Sequence, residues 1–265
     1  GEGGFEPPTS STQSSRTTRL CYPPNWAGDY GVFGRAFQSS RARIGLPGWR
    51  SVTDARYWVG ADENGMGPRL GPLVVTAVLA RVQPEAERIV TRKPRGALGR
   101  RLGDSKGLVA HGNIALAEAW TRALVAKGCG KHGRADDPDA LLDAVSFEDR
   151  DTLTEPCPRS ARAQCWHLDG ERFTDPELMG DTLKQVTGDL KRLERRGVEI
   201  VAVRSSVVCT QRLNDAVARG QSRFMVDLHR MEELILSLRG IAGSDLQAVC
   251  GKVGGYGQSI LRHHR

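Results

Sequence analysis

Apolar residues along the chain gather into short runs and helical stripes only beyond about position 55. Tyr57-Trp58-Val59-Gly60-Ala61 is a short apolar run that ends on Asp62-Glu63, and residues 73–80 form a second run, rich in Val and Leu, opened by Gly71-Pro72. Runs of this length bounded by glycine and proline predict strands, and the glycine-rich stretch between them predicts a hairpin whose loop carries residues 64–70. Ile114, Leu116, Ala117, Trp120 and Leu124 recur at helical spacing up to Gly128, a C-cap residue, so a helix is expected over 113–127. Asp175-Pro176 supplies an N-cap and a first-turn proline for a helix whose apolar face is Met179, Leu183, Val186, Leu190 and Leu193, ending before Gly197. Residues 198–203 read as a strand, Phe224, Leu228, Met231, Leu234, Ile235 and Leu238 as a further amphipathic helix, and residues 246–250 as a last strand. Residues 128–174 have weaker periodicity and read as an insertion with a short helix near Leu141. Strands alternating with helices after an opening hairpin predict an α/β fold, a mixed central sheet flanked by helices.

Residues 1–55 show no sustained periodicity and are rich in Gly, Pro, Ser, Thr and Arg, so they read as a disordered segment without function. Gly4-Phe5-Glu6-Pro7 also resembles the translated complement of a transfer-RNA T-loop, which would make the start of the chain spurious. The folded domain is then expected over 56–265, with its C-terminal part truncated.

Size and charge narrow the picture a little. The 265 residues suffice for one domain with a real core. With 38 Lys and Arg against 31 Asp and Glu, the net charge of +7 favours an anionic partner, nucleic acid among others. No apolar run approaches the roughly 18 to 20 residues that span a bilayer, and no signal peptide is present, so a cytoplasmic, monomeric protein without membrane association is expected. Six scattered cysteines, without an export signal, predict reduced thiols rather than a disulfide framework.

The candidate chemistry lies in Asp62-Glu63. Adjacent carboxylates repel each other, and a pair at a strand end is best tolerated when a divalent cation neutralises it; oxygen ligands select Mg²⁺ or Mn²⁺ over zinc. An isolated Asp-Glu pair is most often solvated surface, but here it runs into Asn64-Gly65-Met66-Gly67-Pro68 and then Gly71-Pro72. Asp104-Ser105-Lys106 follows, directly ahead of the helix expected over 113–127.

These two motifs in this order resemble the signature of type 2 ribonucleases H, over roughly residues 56–260. Arg212-Leu213-Asn214 with Gly220-Gln221-Ser222 also resembles, more loosely, the family segment ahead of its long helix. The resemblance implies a ribonuclease H-like fold and metal-dependent hydrolysis of the RNA strand of RNA–DNA hybrids or of ribonucleotide-containing duplexes. It makes Asp62 and Glu63 the catalytic metal ligands. The backbone around Asn64, Gly65, Met66 and Gly67 would approach the ribose 2′-hydroxyl, and Asp104, Ser105 and Lys106 would form the phosphate-holding segment.

Two departures weigh on this reading. Met66 stands where the family usually has Arg, and Gly251-Lys252 follows the last strand where a third carboxylate is expected. The family's fourth carboxylate would lie beyond Arg265. Asp227 and Asp245 are the nearest substitutes; Asp227 reads as a polar-face helix residue and Asp245 as a turn residue. The alternative is therefore a catalytically impaired nucleic-acid-binding module of the same fold, with salt-sensitive hybrid binding and little turnover. A third reading, a zinc-organised interaction protein, rests on Cys129, His132, Cys157, Cys165 and His167, whose spacing matches no standard zinc ribbon.

Overall fold

In the computed structural model, which describes residues 19–20, 55–64, 71–109, 113–133, 135–158, 170–244 and 246–250, the two opening apolar runs form the expected hairpin. The strands are β1 (Arg19–Leu20), β2 (Arg56–Glu63), β3 (Leu73–Val82), β4 (Val198–Val208) and β5 (Leu246–Cys250). They make one mixed sheet in the order β1-β5-β2-β3-β4, in which β2 and β5 run parallel and every other pair antiparallel. The disorder expected for 1–55 falls outside the described residues except at the two-residue β1.

The short helices α1 (Glu87–Val90), α2 (Gly96–Gly99) and α3 (Ser105–Leu108) follow β3. After them come α4 (Ala115–Ala126), α5 (Pro138–Val145), α6 (Arg150–Thr154), α7 (Pro176–Arg195), α8 (Thr210–Ala218) and α9 (Arg223–Ala242). The apolar stripe of α9 covers one face of the sheet: Met231, Leu234, Ile235 and Leu238 pack on Val59, Ala61, Val75, Ala77 and Leu79. Side chains alternate along a strand, so Trp58, Ala80 and Val82 face the other way, against Leu98 and Leu193. On that second face α4 and α7 pair through Ala119, Ala123, Met179, Val186 and Leu190. Asp175 caps α7 as its sequence predicts, accepting from the Glu177 amide at 2.8 Å.

Two elements differ from the sequence expectation. β4 continues five residues beyond the predicted strand, through Arg204, Ser205 and Ser206, because these polar groups find partners in place. The Arg204 guanidinium donates to the Val203 carbonyl at 2.6 Å, Ser205 Oγ meets Thr76 Oγ1 at 2.9 Å, and Ser206 Oγ donates to Glu148 at 2.6 Å. The second difference is that the first half of the 128–174 segment belongs to the core. Ala144 and Val145 are buried with Val125 and Val203, and the Phe147 amide donates to the Ser205 carbonyl at 2.7 Å. Gly130 makes that approach possible: a Cβ there would stand 2.9 Å from the Ala144 carbonyl oxygen. Among the described residues no helix is long and apolar enough to cross a membrane.

Candidate functional site

Asp62 and Glu63 are the last two residues of β2, a strand with hydrogen-bonded neighbours on both sides. Their backbone is held rigidly while the side chains stand at the sheet's end. Val59 and Ala61 belong to the core under α9, so alternation projects Glu63 toward α9 and Asp62 toward the α4/α7 face. Asp62 is exposed and Glu63 half-buried. The parallel pairing of β5 sets Cys250 opposite Ala61, so the chain leaves β5 beside Asp62, the place where a third carboxylate was expected. Gly251 and Lys252 themselves lie outside the described residues.

Asn64 holds the base of the hairpin loop. Its side-chain amide donates to the Pro72 carbonyl at 3.2 Å and accepts from the Val74 amide at 3.1 Å, while its own amide donates to the Val74 carbonyl at 2.9 Å. Gly71 turns the returning strand with a left-handed φ of 92°, which favours glycine, and its carbonyl accepts from Thr210 at 2.9 Å. The loop proper, with Gly65, Met66 and Gly67, lies outside the described residues. Asp104 is exposed and precedes α3; exposed Ser105 opens that helix and Lys106 is its second residue. The segment is anchored by Leu102, which packs on the Trp58 cluster, the face toward which Asp62 projects.

Asp227 is not the polar-face helix residue that the sequence suggested. It is 1% exposed, and neither carboxylate oxygen has a hydrogen-bond partner. The cause lies in the helix geometry: Asp227 is four residues from Met231 and seven from Leu234, so it rides on the apolar stripe. That spacing was a readable signal, since a carboxylate on a core stripe is an anomaly. Burial first, then the negative charges of Glu63 and Asp62, push its carboxyl up to about 7. Cys250 shares this environment; burial, then the charges of Asp227 and Asp62, push its thiol up to about 11, so it is protonated at neutral pH. Asp245 lies outside the described residues.

A stability consequence follows from Asp227. Its folded pKa lies above the ordinary value of 3.8, so the folded state binds the extra proton between about pH 4 and 7. Stability tied to this group is therefore fully present below about pH 4, falls as pH rises through 7, and stays low above it, by up to about 4 kcal/mol. Urea unfolding without divalent ions should show Asp227→Asn increasingly more stable than the parent chain from pH 5 to pH 8. A difference independent of pH over that range would refute the assignment.

The remaining candidates have structural roles. Leu213 is buried in the core, Arg212 pairs with Glu155, and Ser222 caps α9 by accepting from the Met225 amide at 3.2 Å. Gly220, with φ of 86°, makes the turn between α8 and α9. The zinc reading finds no support here. Cys129, Cys209 and Cys250 are free, buried thiols; Cys129 Sγ contacts the Ile200 carbonyl at 3.3 Å, and His132 Nε2 lies 3.1 Å from Asp143. Cys157 is buried, and Cys165 and His167 lie outside the described residues. Among the described residues no group of three or more His, Cys, Asp or Glu side chains is placed so that it could hold a metal ion as it stands. Compared with protein-family models, with curated proteins and with solved structures, the chain matches none.

Proposed function

We propose that this chain is a divalent-metal-dependent nuclease of the type 2 ribonuclease H kind, hydrolysing the RNA strand of RNA–DNA hybrids. The observation that carries this reading is the Asp62-Glu63 pair at the end of an interior strand, in a hairpin base closed by Asn64. The mixed sheet, with β5 parallel to β2 and helices on both faces, suits the ribonuclease H-like fold that the motifs imply.

The residues present fit a hard cation. Asp62 and Glu63 offer carboxylate oxygens, and neither Asp62 nor Asp227 has a cationic side-chain partner among the described residues. Oxygen donors with uncompensated negative charge select Mg²⁺ or Mn²⁺. When bound, such ions supply an activated water and stabilise the leaving oxygen of the phosphodiester. The protein's own part is positioning. Ser105 and Lys106 hold a backbone phosphate, and the Gly65-Met66-Gly67 backbone reads the 2′-hydroxyl, which distinguishes RNA from DNA. The excess of basic residues favours approach of the polyanion.

The purified chain, given Mg²⁺ or Mn²⁺, should cleave the RNA strand of a labelled hybrid and leave the matching DNA duplex intact. Equal cleavage of both duplexes, or no hybrid binding at all, would overturn the reading. Salt-sensitive hybrid binding without cleavage would instead support the impaired binding module that the Gly251-Lys252 departure suggests.

A further inference from the structure

A carboxylate buried without a hydrogen bond is one of the more costly features a core can carry. Asp227 has both oxygens in that condition, flanked on α9 by buried Leu228 and Met231, where an apolar residue would pack at no such cost. No packing role explains it. The position in the fold does. The turn at 243–245 sends β5 back against α9, so the first half of α9 and the end of β5 come to the same end of the sheet as Asp62 and Glu63. The groups whose charges act on Asp227 are those two carboxylates.

We propose that Asp227 is the third carboxylate of the metal site, supplied by α9 in place of the strand-end residue that is missing after Cys250. This rests on reading Asp62 and Glu63 as metal ligands. The ligand class is a hard divalent cation, Mg²⁺ or Mn²⁺, because three carboxylates offer only oxygen donors. Repulsion keeps three such groups apart in the metal-free chain, and a cation supplies the charge that draws them together. Asp227 thereby answers the third-carboxylate departure in the family pattern. A helix contributes the ligand that a strand was expected to carry.

The test is Mn²⁺ binding by the full chain, read from the electron-spin-resonance signal of the free ion. The parent chain should bind Mn²⁺, and Asp62→Asn and Asp227→Asn should each weaken binding about tenfold or more. Mn²⁺ should also raise the melting temperature of the parent chain and leave that of Asp227→Asn unmoved. The asparagine is isosteric and removes a buried charge, so metal-free Asp227→Asn should melt no lower than the parent, which separates lost ligation from lost folding. If Asp62→Asn weakens binding while Asp227→Asn binds as the parent does, the inference about Asp227 falls and the nuclease reading stands. If the parent chain does not bind millimolar Mn²⁺, both fall.

Discussion

Replacing Asp62 by Asn should reduce metal-dependent cleavage of an RNA–DNA hybrid by about a hundredfold or more while leaving hybrid binding intact. Residues that merely orient metal ligands are worth about 10- to 100-fold in affinity or activity when mutated, so loss of a ligand belongs at or beyond the top of that range. Asp62 is exposed, and its one intramolecular hydrogen bond is accepted from the Glu63 amide at 3.1 Å, so the substitution disturbs little of the fold. It also removes a negative charge from a surface that must receive phosphates, which favours binding if anything. The defect should thus appear in single-turnover cleavage rates, with the dissociation constant measured in chelator unchanged or lower. Unchanged turnover in Asp62→Asn would mean that the Asp-Glu motif is not the catalytic centre.

Asp189→Ala should be the most destabilising substitution on the outer layer, costing about 3 to 5 kcal/mol, as removal of one partner from a buried ion pair does. Asp189 is 1% exposed and receives two bonds from Arg101, at 2.6 and 3.0 Å, and one from Arg192 at 2.8 Å. Arg192 is half exposed and returns to water, but Arg101 would be left poorly solvated and unpaired. The Arg101 carbonyl is itself fixed by the Trp120 indole at 2.6 Å, so this pair pins the segment leading into Asp104, Ser105 and Lys106 to α4 and α7. Urea midpoints should shift accordingly, and hybrid binding should weaken together with stability as the phosphate-holding segment loosens. The double variant Asp189→Leu/Arg101→Met should recover most of the loss, since an apolar pair avoids the uncompensated charge. A cost below about 1 kcal/mol for Asp189→Ala would show that the pair is solvated after all.

The opening hairpin, α4, α7, α9 and β5 were legible in the chain because each carries its own local signal. Period-two or continuous apolar runs mark the strands, 3.6-residue stripes mark the helices, and caps such as Asp175-Pro176 mark an end. The same local information placed Asp62 and Glu63 at a strand end, since a glycine-rich turn follows directly. Tertiary structure decided what depends on partners far along the chain. β4 continues through Arg204, Ser205 and Ser206 only because Thr76 and Glu148 reach them, and no window of sequence contains both sides of those contacts. The 128–158 stretch looked like an appendage because its apolar residues are few and scattered, yet Ala144 and Val145 find Val203 across the chain. Asp227 is the clearest case. Its helical position was written in the sequence, but its burial, its unpartnered oxygens and its nearness to Asp62 and Glu63 arise only when α9 is laid across β2, because electrostatic environment is a property of the packed fold and not of the segment.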